Sequence, residues 1–365
     1  MKIERAIITG GGSGGHVFPA IAIADEIKKR NNDVKILFVG AEGKLEMEKV
    51  PAAGYEIKGL KIIGLKRKIS FSNILLPFKV FQSLIKARKI IKKFNPQVVI
   101  GVGGYASGPT ILAATMSKVP SIIQEQNSFP GKTNKILSKK TNKICVAYEG
   151  LERFFPKQKI ILTGNPTRKS MVDIIGKKTD GYKFYNFDSS KKTILIIGGS
   201  LGAKTLNESV INNLEELKDS GVQVLWQCGK LYYEELYEKL KSKRLKNIKM
   251  VQFINRMDLA YSIADIVISR AGAIAVSELC LVKKPTILVP SPNVSEDHQT
   301  KNAMALVKNK AAILIKDTNA RKKLITRSLE LLDSKTECED LRNNIGKMAR
   351  PNATSDIVDI IEKQI

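Results

Sequence analysis

The chain is short of several residue types, and each shortage narrows what it can be. Histidine occurs twice in 365 residues, at His16 and His298. The four cysteines, Cys145, Cys228, Cys280 and Cys338, lie far apart and form no Cys-x-x-Cys pair. That excludes the usual spacing of a structural zinc site and a disulfide framework, and suits a reducing compartment. No run of about 18 apolar residues occurs, and no charged-then-apolar leader precedes the first strand, so neither a membrane span nor secretion is expected. Acidic residues are missing altogether from Ile57 to Gln124.

What is present reads as a folded, strongly basic protein. Hydrophobic residues make up 43% and charged residues 26%, ordinary values for a globular chain rather than a disordered one. Lys and Arg total 61 against 35 Asp and Glu, a net charge of +26, which points to a polyanionic partner: nucleic acid, anionic lipid or phosphates. The length suits two domains.

Short β-rich runs alternate with helical patterns. Ile3–Thr9, Val34–Gly40, Val98–Gly101, Ser121–Gln124, Lys143–Ala147 and Lys159–Leu162 read as strands in the first half. Thr193–Ile197, Val222–Trp226, Lys249–Phe253, Asp265–Ser269 and Thr286–Val289 do so in the second. Such alternation predicts parallel sheets with crossover helices, an α/β fold of two doubly wound domains. A weakly patterned Lys/Asp/Gly-rich stretch, Lys169 to Lys192, follows TGNPTR and places the seam near Pro166. The expected division is 1–165, 166–345, and a helical segment at 346–365 that returns toward the first domain.

Each half opens with a glycine loop between strand and helix, GGSGG at Gly11–Gly15 and GGSLG at Gly198–Gly202. Glycines there let the backbone approach a ligand, and the following helix offers N–H groups and a positive dipole end to an anion. The pattern Gly10-x-Gly12-x-x-Gly15 also satisfies a dinucleotide fingerprint, but the expected acidic residue comes late, at Glu42, against a nicotinamide or flavin. A tight turn without a ligand explains one such loop more readily than two. A third loop, GVGGYASGP (Gly101–Pro109), and the polar QEQNSFPGKTN (Gln124–Asn134) should share the rim of the first sheet. Gly103, Gly104, Tyr105, Ser107 and Glu125 are thus candidate lining for a polar, phosphorylated molecule.

Seven stretches, GGSGGHVFPA, GGYASGP, EQNSFPGKTN, TGNPTR, GGSLGAKTLN, SRAGAIAVSEL and EDHQTKNA, occur in this order between residues 3 and 350. In this the chain resembles the MurG family of glycosyltransferases, which move N-acetylglucosamine from UDP-GlcNAc to lipid I, undecaprenyl-pyrophosphoryl-MurNAc-pentapeptide, making lipid II for peptidoglycan. The resemblance implies a GT-B fold of two Rossmann-like domains facing a central cleft, with the acceptor lipid on the first domain and the donor on the second. It places Ser13, Gly14, Gly15 and His16 near the acceptor pyrophosphate and the transferring sugar, and makes Asn127 and Arg168 further ligand positions. Ser200 matches a donor-diphosphate contact, Ile254 a backbone contact to uracil, and Gln299 a contact to the GlcNAc hydroxyls. Ala273, Ile274, Ala275, Val276, Ser277 and Glu278 match the donor-binding segment, Glu278 as ribose clamp. Some members carry Gln where this chain has His298, whose role stays open. The resemblance further implies peripheral attachment at the cytoplasmic face of the cell membrane, with cell-wall synthesis proteins as candidate partners.

Transfer to a sugar hydroxyl must stabilise charge on the departing UDP and remove one proton. No Asp-x-Asp pair occurs, so no obligatory metal or other cofactor is expected; helix N-terminal amides, Ser200 and Arg168 would meet the diphosphate instead. Single displacement would invert the α-linked donor, an outcome the resemblance supports. For the proton, His16 is one reading; that it braces the loop or binds phosphate is the other. His298 and Glu125 are alternative bases, and Glu125 equally reads as hydrogen-bonded structure.

The acid-free stretch contains a helix, PFKVFQSLIKARKIIKKF (Pro77–Phe94), with Val80, Leu84, Ala87, Ile91 and Phe94 as its expected core stripe. Phe78, Phe81 and Ile85 fall on another side beside Arg88, Lys89 and Lys92, which suits an anionic bilayer surface. A second buried face and a solvated charge run are the plainer readings. Nucleic acid is not favoured, since no binding motif is recognisable. A GT-B transferase acting on another lipid such as diacylglycerol, and a non-catalytic nucleotide-sugar-binding membrane scaffold, are the alternative functions.

Overall fold

A computed structural model describes residues 2–62, 76–243 and 245–365, except the side chains of 76–79, 169 and 295. The chain divides into two compact units. One comprises Met1–Thr167 with Arg350–Ile365, the other Arg168–Ala349.

The first unit holds seven strands: β1 (Arg5–Thr9), β2 (Lys35–Ala41), β3 (Glu56–Leu60), β4 (Val98–Gly101), β5 (Ser121–Glu125), β6 (Lys143–Val146) and β7 (Ile160–Leu162). All pair in parallel, in the order β3-β2-β1-β4-β5-β6-β7. The Ile- and Val-rich central strands are buried on both faces, as a parallel sheet between helix layers requires. One face packs on the Gly14–Arg30 helix and the C-terminal Ala353–Glu362 helix through Val17, Ile21, Ile357, Val358 and Ile361. The other packs on the Leu76–Phe94 and Ser107–Met116 helices through Ala87, Ile91 and Ile111.

The second unit repeats the plan with β8 (Thr193–Ile197), β9 (Gln223–Gln227), β10 (Ile248–Val251), β11 (Ile266–Ser269), β12 (Thr286–Leu288) and β13 (Ile313–Leu314). Their order is β10-β9-β8-β11-β12-β13, again all parallel. The single tryptophan, Trp226, is fully buried here and donates its indole N–H to Asn207 Oδ1 at 3.0 Å. In both sheets the winding reverses beside the first strand, between β1 and β4 and between β8 and β11. The loops leaving those strands are where open α/β sheets bind ligands.

Two strands, β3 and β13, are absent from the sequence reading. β3 is an edge strand, Glu-Ile-Lys-Gly-Leu, with two charges and a glycine, and β13 has only two residues. Neither carries the β-branched run that marks a buried strand. Val80 also departs from expectation: it is 47% exposed, outside the core stripe. At that turn the buried face runs through Ser83, whose hydroxyl donates to the Lys61 carbonyl at 3.1 Å, then through Ala87, Ile90 and Ile91.

Candidate functional site

In the first unit two glycine loops meet backbone to backbone at the sheet's reversal point. The Gly11 N–H donates to the Gly103 carbonyl at 3.3 Å, and the Ser107 hydroxyl lies within bonding distance of the Thr9 and Gly103 carbonyls at 3.0 and 2.8 Å. A Cβ on Gly104 would come within 2.3 Å of the Gly11 carbonyl oxygen. This contact is why GGSGG and GGYASG need their glycines. Beyond it the Gly14–Arg30 helix begins, capped by Ser13, with His16 and Val17 donating back to the Ser13 carbonyl.

His16 is half-buried in this junction. Its Nδ1 lies 3.0 Å from the Gly11 carbonyl oxygen and 3.3 Å from Ser13 Oγ. A carbonyl only accepts, so Nδ1 carries the proton and Nε2 the lone pair. Nε2 points over Gly103, where a Cβ would stand 2.9 Å away on a backbone with φ +93°. Burial lowers the imidazole pKa, against the opposing bond to Gly11 and the charge of Glu46, so the ring is neutral at physiological pH.

Sequence reading gives no role to Glu46. Its carboxylate is 1% exposed and accepts the N–H of Gly12 at 2.8 Å and of Ala41 at 2.9 Å. The one signal is an acid four residues before the buried Val50 on a seven-residue helix, Glu46–Ala52.

Glu125 is buried and saturated. One oxygen accepts from the Asn127 backbone and side-chain amides at 3.0 and 3.1 Å, the other from Gly131 N–H and Asn134 Nδ2 at 3.1 and 2.9 Å. A carboxylate holding four N–H donors braces its loop. Tyr105, on the neighbouring glycine loop, is 52% exposed.

The second unit has a cavity of about 440 Å³ at the ends of β8 and β11. Its wall includes Gly198, Gly199, Gly202, Tyr232, Arg270, Gly272, Ala275 and Gln299. Gly199 and Gly202 have φ of +83° and +92°, and a Cβ on Gly202 would lie 2.2 Å from the Cys228 carbonyl oxygen. Gln299 Oε1 accepts the N–H groups of Ala271 (3.2 Å) and Ser291 (2.8 Å), which aligns two loops and leaves its amide N–H₂ as the donor end. Arg270, Asp317 and Thr205, also unassigned by sequence, form the cavity's fixed wall. Asp317 takes Arg270 on one oxygen and the Thr205 hydroxyl, at 2.8 Å, on the other.

The Ala273–Val282 helix starts at this cavity after Gly272, with no side chain capping it. The start of this helix, Ala273 to Ala275, carries the positive end of its dipole, which suits an anion. Val276 faces the core, and the Ser277 hydroxyl donates back to the Ala273 carbonyl at 3.1 Å. Glu278 accepts from the Tyr261 hydroxyl at 3.4 Å. Burial raises its pKa to about 7, partly offset by the Arg168 charge and the Tyr261 bond. Ser200 is exposed and Ile254 buried, and neither lines the cavity. Ile254 N–H already donates to Gln227 Oε1 at 3.0 Å. His298 begins the His298–Val307 helix. Among the described residues no group of three or more His, Cys, Asp or Glu side chains could hold a metal ion.

On the Leu76–Phe94 helix, Phe81 and Ile85 are 58% and 42% exposed, with Lys89 and Lys92 exposed beside them. The Phe78 side chain lies outside the described residues. No described helix is long and apolar enough to cross a membrane.

The family model of the glycosyltransferase family 28 N-terminal domain matches residues 6–146, and that of the family 28 C-terminal domain matches residues 193–361. The UDP-N-acetylglucosamine--N-acetylmuramyl-(pentapeptide) pyrophosphoryl-undecaprenol N-acetylglucosamine transferase of Flavobacterium psychrophilum is 53% identical over 365 residues, covering 100% of this chain and 99% of the relative. The Cytophaga hutchinsonii protein of the same description is 53% identical over 357 residues, 98% of this chain and 96% of its own. Among solved structures, Acinetobacter baumannii MurG superposes with a TM-score of 0.79 at 28% identity, over 99% of both chains.

Proposed function

The chain belongs to glycosyltransferase family 28, and from that premise we infer that it transfers N-acetylglucosamine from UDP-GlcNAc to lipid I, producing lipid II for peptidoglycan. It is a hexosyltransferase of the GT-B type, built from two doubly wound units. The observation that carries the catalytic reading is His16: Nδ1 is tied to the Gly11 carbonyl, which leaves Nε2, beside Gly103, as the unprotonated ring nitrogen.

In the reaction we assign, the acceptor's C4 hydroxyl attacks the anomeric carbon of GlcNAc. The new C1–O bond forms as the bond from C1 to the β-phosphate oxygen breaks, and that electron pair leaves with UDP. The hydroxyl proton passes to His16 Nε2. The displacement inverts the anomeric centre. Ser13, Gly14 and Gly15 present the start of the Gly14–Arg30 helix to the acceptor pyrophosphate, with Asn127, Tyr105 and the Gly103–Ser107 loop beside it. Glu125 shapes that rim through its four hydrogen bonds.

On the donor side, the start of the Ala273–Val282 helix with Ser200 and Arg168 stabilises the diphosphate as charge grows on it. Glu278 accepts from the ribose hydroxyls, and Gln299 offers its amide N–H₂ to the sugar. Since the Ile254 N–H is engaged by Gln227, the uracil contact falls to the Ile254 carbonyl. The apolar tip formed by Phe81 and Ile85 among lysines docks on the anionic cytoplasmic leaflet where the lipid acceptor resides. Cell-wall synthesis proteins are further candidate partners.

The deciding experiment measures UDP release from UDP-GlcNAc in EDTA, with and without a short-chain lipid I analogue. Release that depends on the analogue is expected. Donor binding with no release on any lipid acceptor would replace this reading with the non-catalytic scaffold.

A further inference from the structure

The bonds around the first glycine loop share one peptide unit. The Gly12 N–H that donates to Glu46 Oε2 at 2.8 Å and the Gly11 carbonyl that accepts from His16 Nδ1 at 3.0 Å are the two ends of the Gly11–Gly12 peptide. Carboxylate, peptide and imidazole therefore stand in series, each polarising the next. Gly11 has no room for a side chain in this arrangement, since a Cβ would sit 2.1 Å from the Glu46 carboxyl carbon. Gly40 touches the same side chain, its Cβ position lying 2.5 Å from Glu46 Cγ. The second carboxylate oxygen is fixed by Ala41 N–H at 2.9 Å. A buried carboxylate with both oxygens held by backbone amides has one orientation, and so does the peptide above it.

We propose that Glu46 is a positioning residue for transfer: through the Gly11–Gly12 peptide it holds His16 in the Nδ1-protonated form, leaving Nε2 as the proton acceptor. The inference rests on the transferase reading above and adds to it the residue that orients the base. The arrangement resembles the carboxylate–histidine pairing of hydrolases with one peptide interposed. Among the described residues, Glu46 is the charge that acts on this imidazole, and it raises the ring's proton affinity against burial.

The test uses the full chain and begins without turnover. With two histidines in the sequence, ¹⁵N NMR of the wild-type protein, assigned with a His298→Gln variant, reads the His16 tautomer and titration directly. The Nδ1–H tautomer is expected; the Nε2–H tautomer would overturn the proposal whatever the enzyme's activity. In Glu46→Gln, kcat should fall roughly tenfold with donor KM unchanged, and the acid limb and the His16 titration should both move down by roughly half a pH unit. A variant that loses rate while both curves stay in place would show a merely structural Glu46 and sink the idea. Should Glu46→Gln not fold, the wild-type tautomer decides alone. Absence of transfer in the wild-type enzyme would count against the transferase reading, and the tautomer and titration would still judge Glu46.

Discussion

Two acidic or basic groups respond to pH in ways that separate the steps of the reaction. His16→Ala removes the proposed base but none of the donor cavity, so kcat should drop by about 10²–10⁴ with donor KM little changed, measured by steady-state kinetics. Near-normal kcat would assign His16 to loop bracing. Glu278 rests with a pKa of about 7 because it is buried, and in its proposed role at the ribose it accepts hydroxyl hydrogens most strongly as the ionised carboxylate. Titration calorimetry should therefore find UDP-GlcNAc affinity rising about tenfold from pH 6 to pH 8, with proton release on binding, and Glu278→Gln should flatten that dependence. The same group costs stability. Its folded pKa lies above the ordinary carboxylate value, so the penalty appears as pH rises from that value through 7 and is absent below both. Glu278→Gln should accordingly stabilise the second unit at pH 8 by about 1–3 kcal/mol and leave it unchanged near pH 4, followed by Trp226 fluorescence. At this scale the sequence exposes His16 through its scarcity and its glycine setting. Glu46 stays hidden because its role depends on a burial and a loop crossing that no local pattern encodes, and Arg270 with Asp317 for the same reason, 47 residues apart.

Elements were more legible than contacts. Glycine loops after β1 and β8 advertise themselves because only glycine tolerates such close backbone approach, whereas β3 and β13 are edges whose composition matches a loop. The Leu76–Phe94 helix shows the limit of periodicity: Ile85 and Phe81 fall outward, but Val80 joins them because Ser83 takes its place on the buried side. The exposed apolar tip thereby gains a third residue. Sedimentation with anionic vesicles should show Phe81→Ser/Ile85→Ser losing most binding, with far-UV circular dichroism unchanged and UDP release from a water-soluble acceptor analogue retained. Unaltered binding would return this face to the status of a solvated charge run.

For the molecule as a whole, the α/β class and the doubled plan follow from the alternation of strand and helix runs, while the return of the last residues to the first unit is expected from the family resemblance and not from any local pattern, because packing against a helix over 300 positions earlier leaves no local trace. Ile357, Val358 and Ile361 are fully buried in the first unit's core. Arg30 binds Asp359 at 2.6 Å, Glu362 at 3.0 Å and Ser355 Oγ at 2.6 Å. Ending the chain at Ala349 should destabilise the first unit by roughly 5 kcal/mol or more, while the Trp226 transition of the second stays in place. Calorimetry resolving both transitions would test this, and equal loss in both would refute the independence of the two cores.

That return path has a consequence for how the protein is made. The second unit is threaded between two pieces of the first, so the residues from Arg168 onward, about 200 of them, must be synthesised before the first unit can bury its Ile23 and Ile27 face against its final helix. At about 5–20 residues per second, the ribosome leaves the first unit without its final helix for about 10–40 seconds. During that interval the growing chain carries an unfinished apolar surface, and a stop codon in its last few turns would weaken not the tail alone but the domain that was made first.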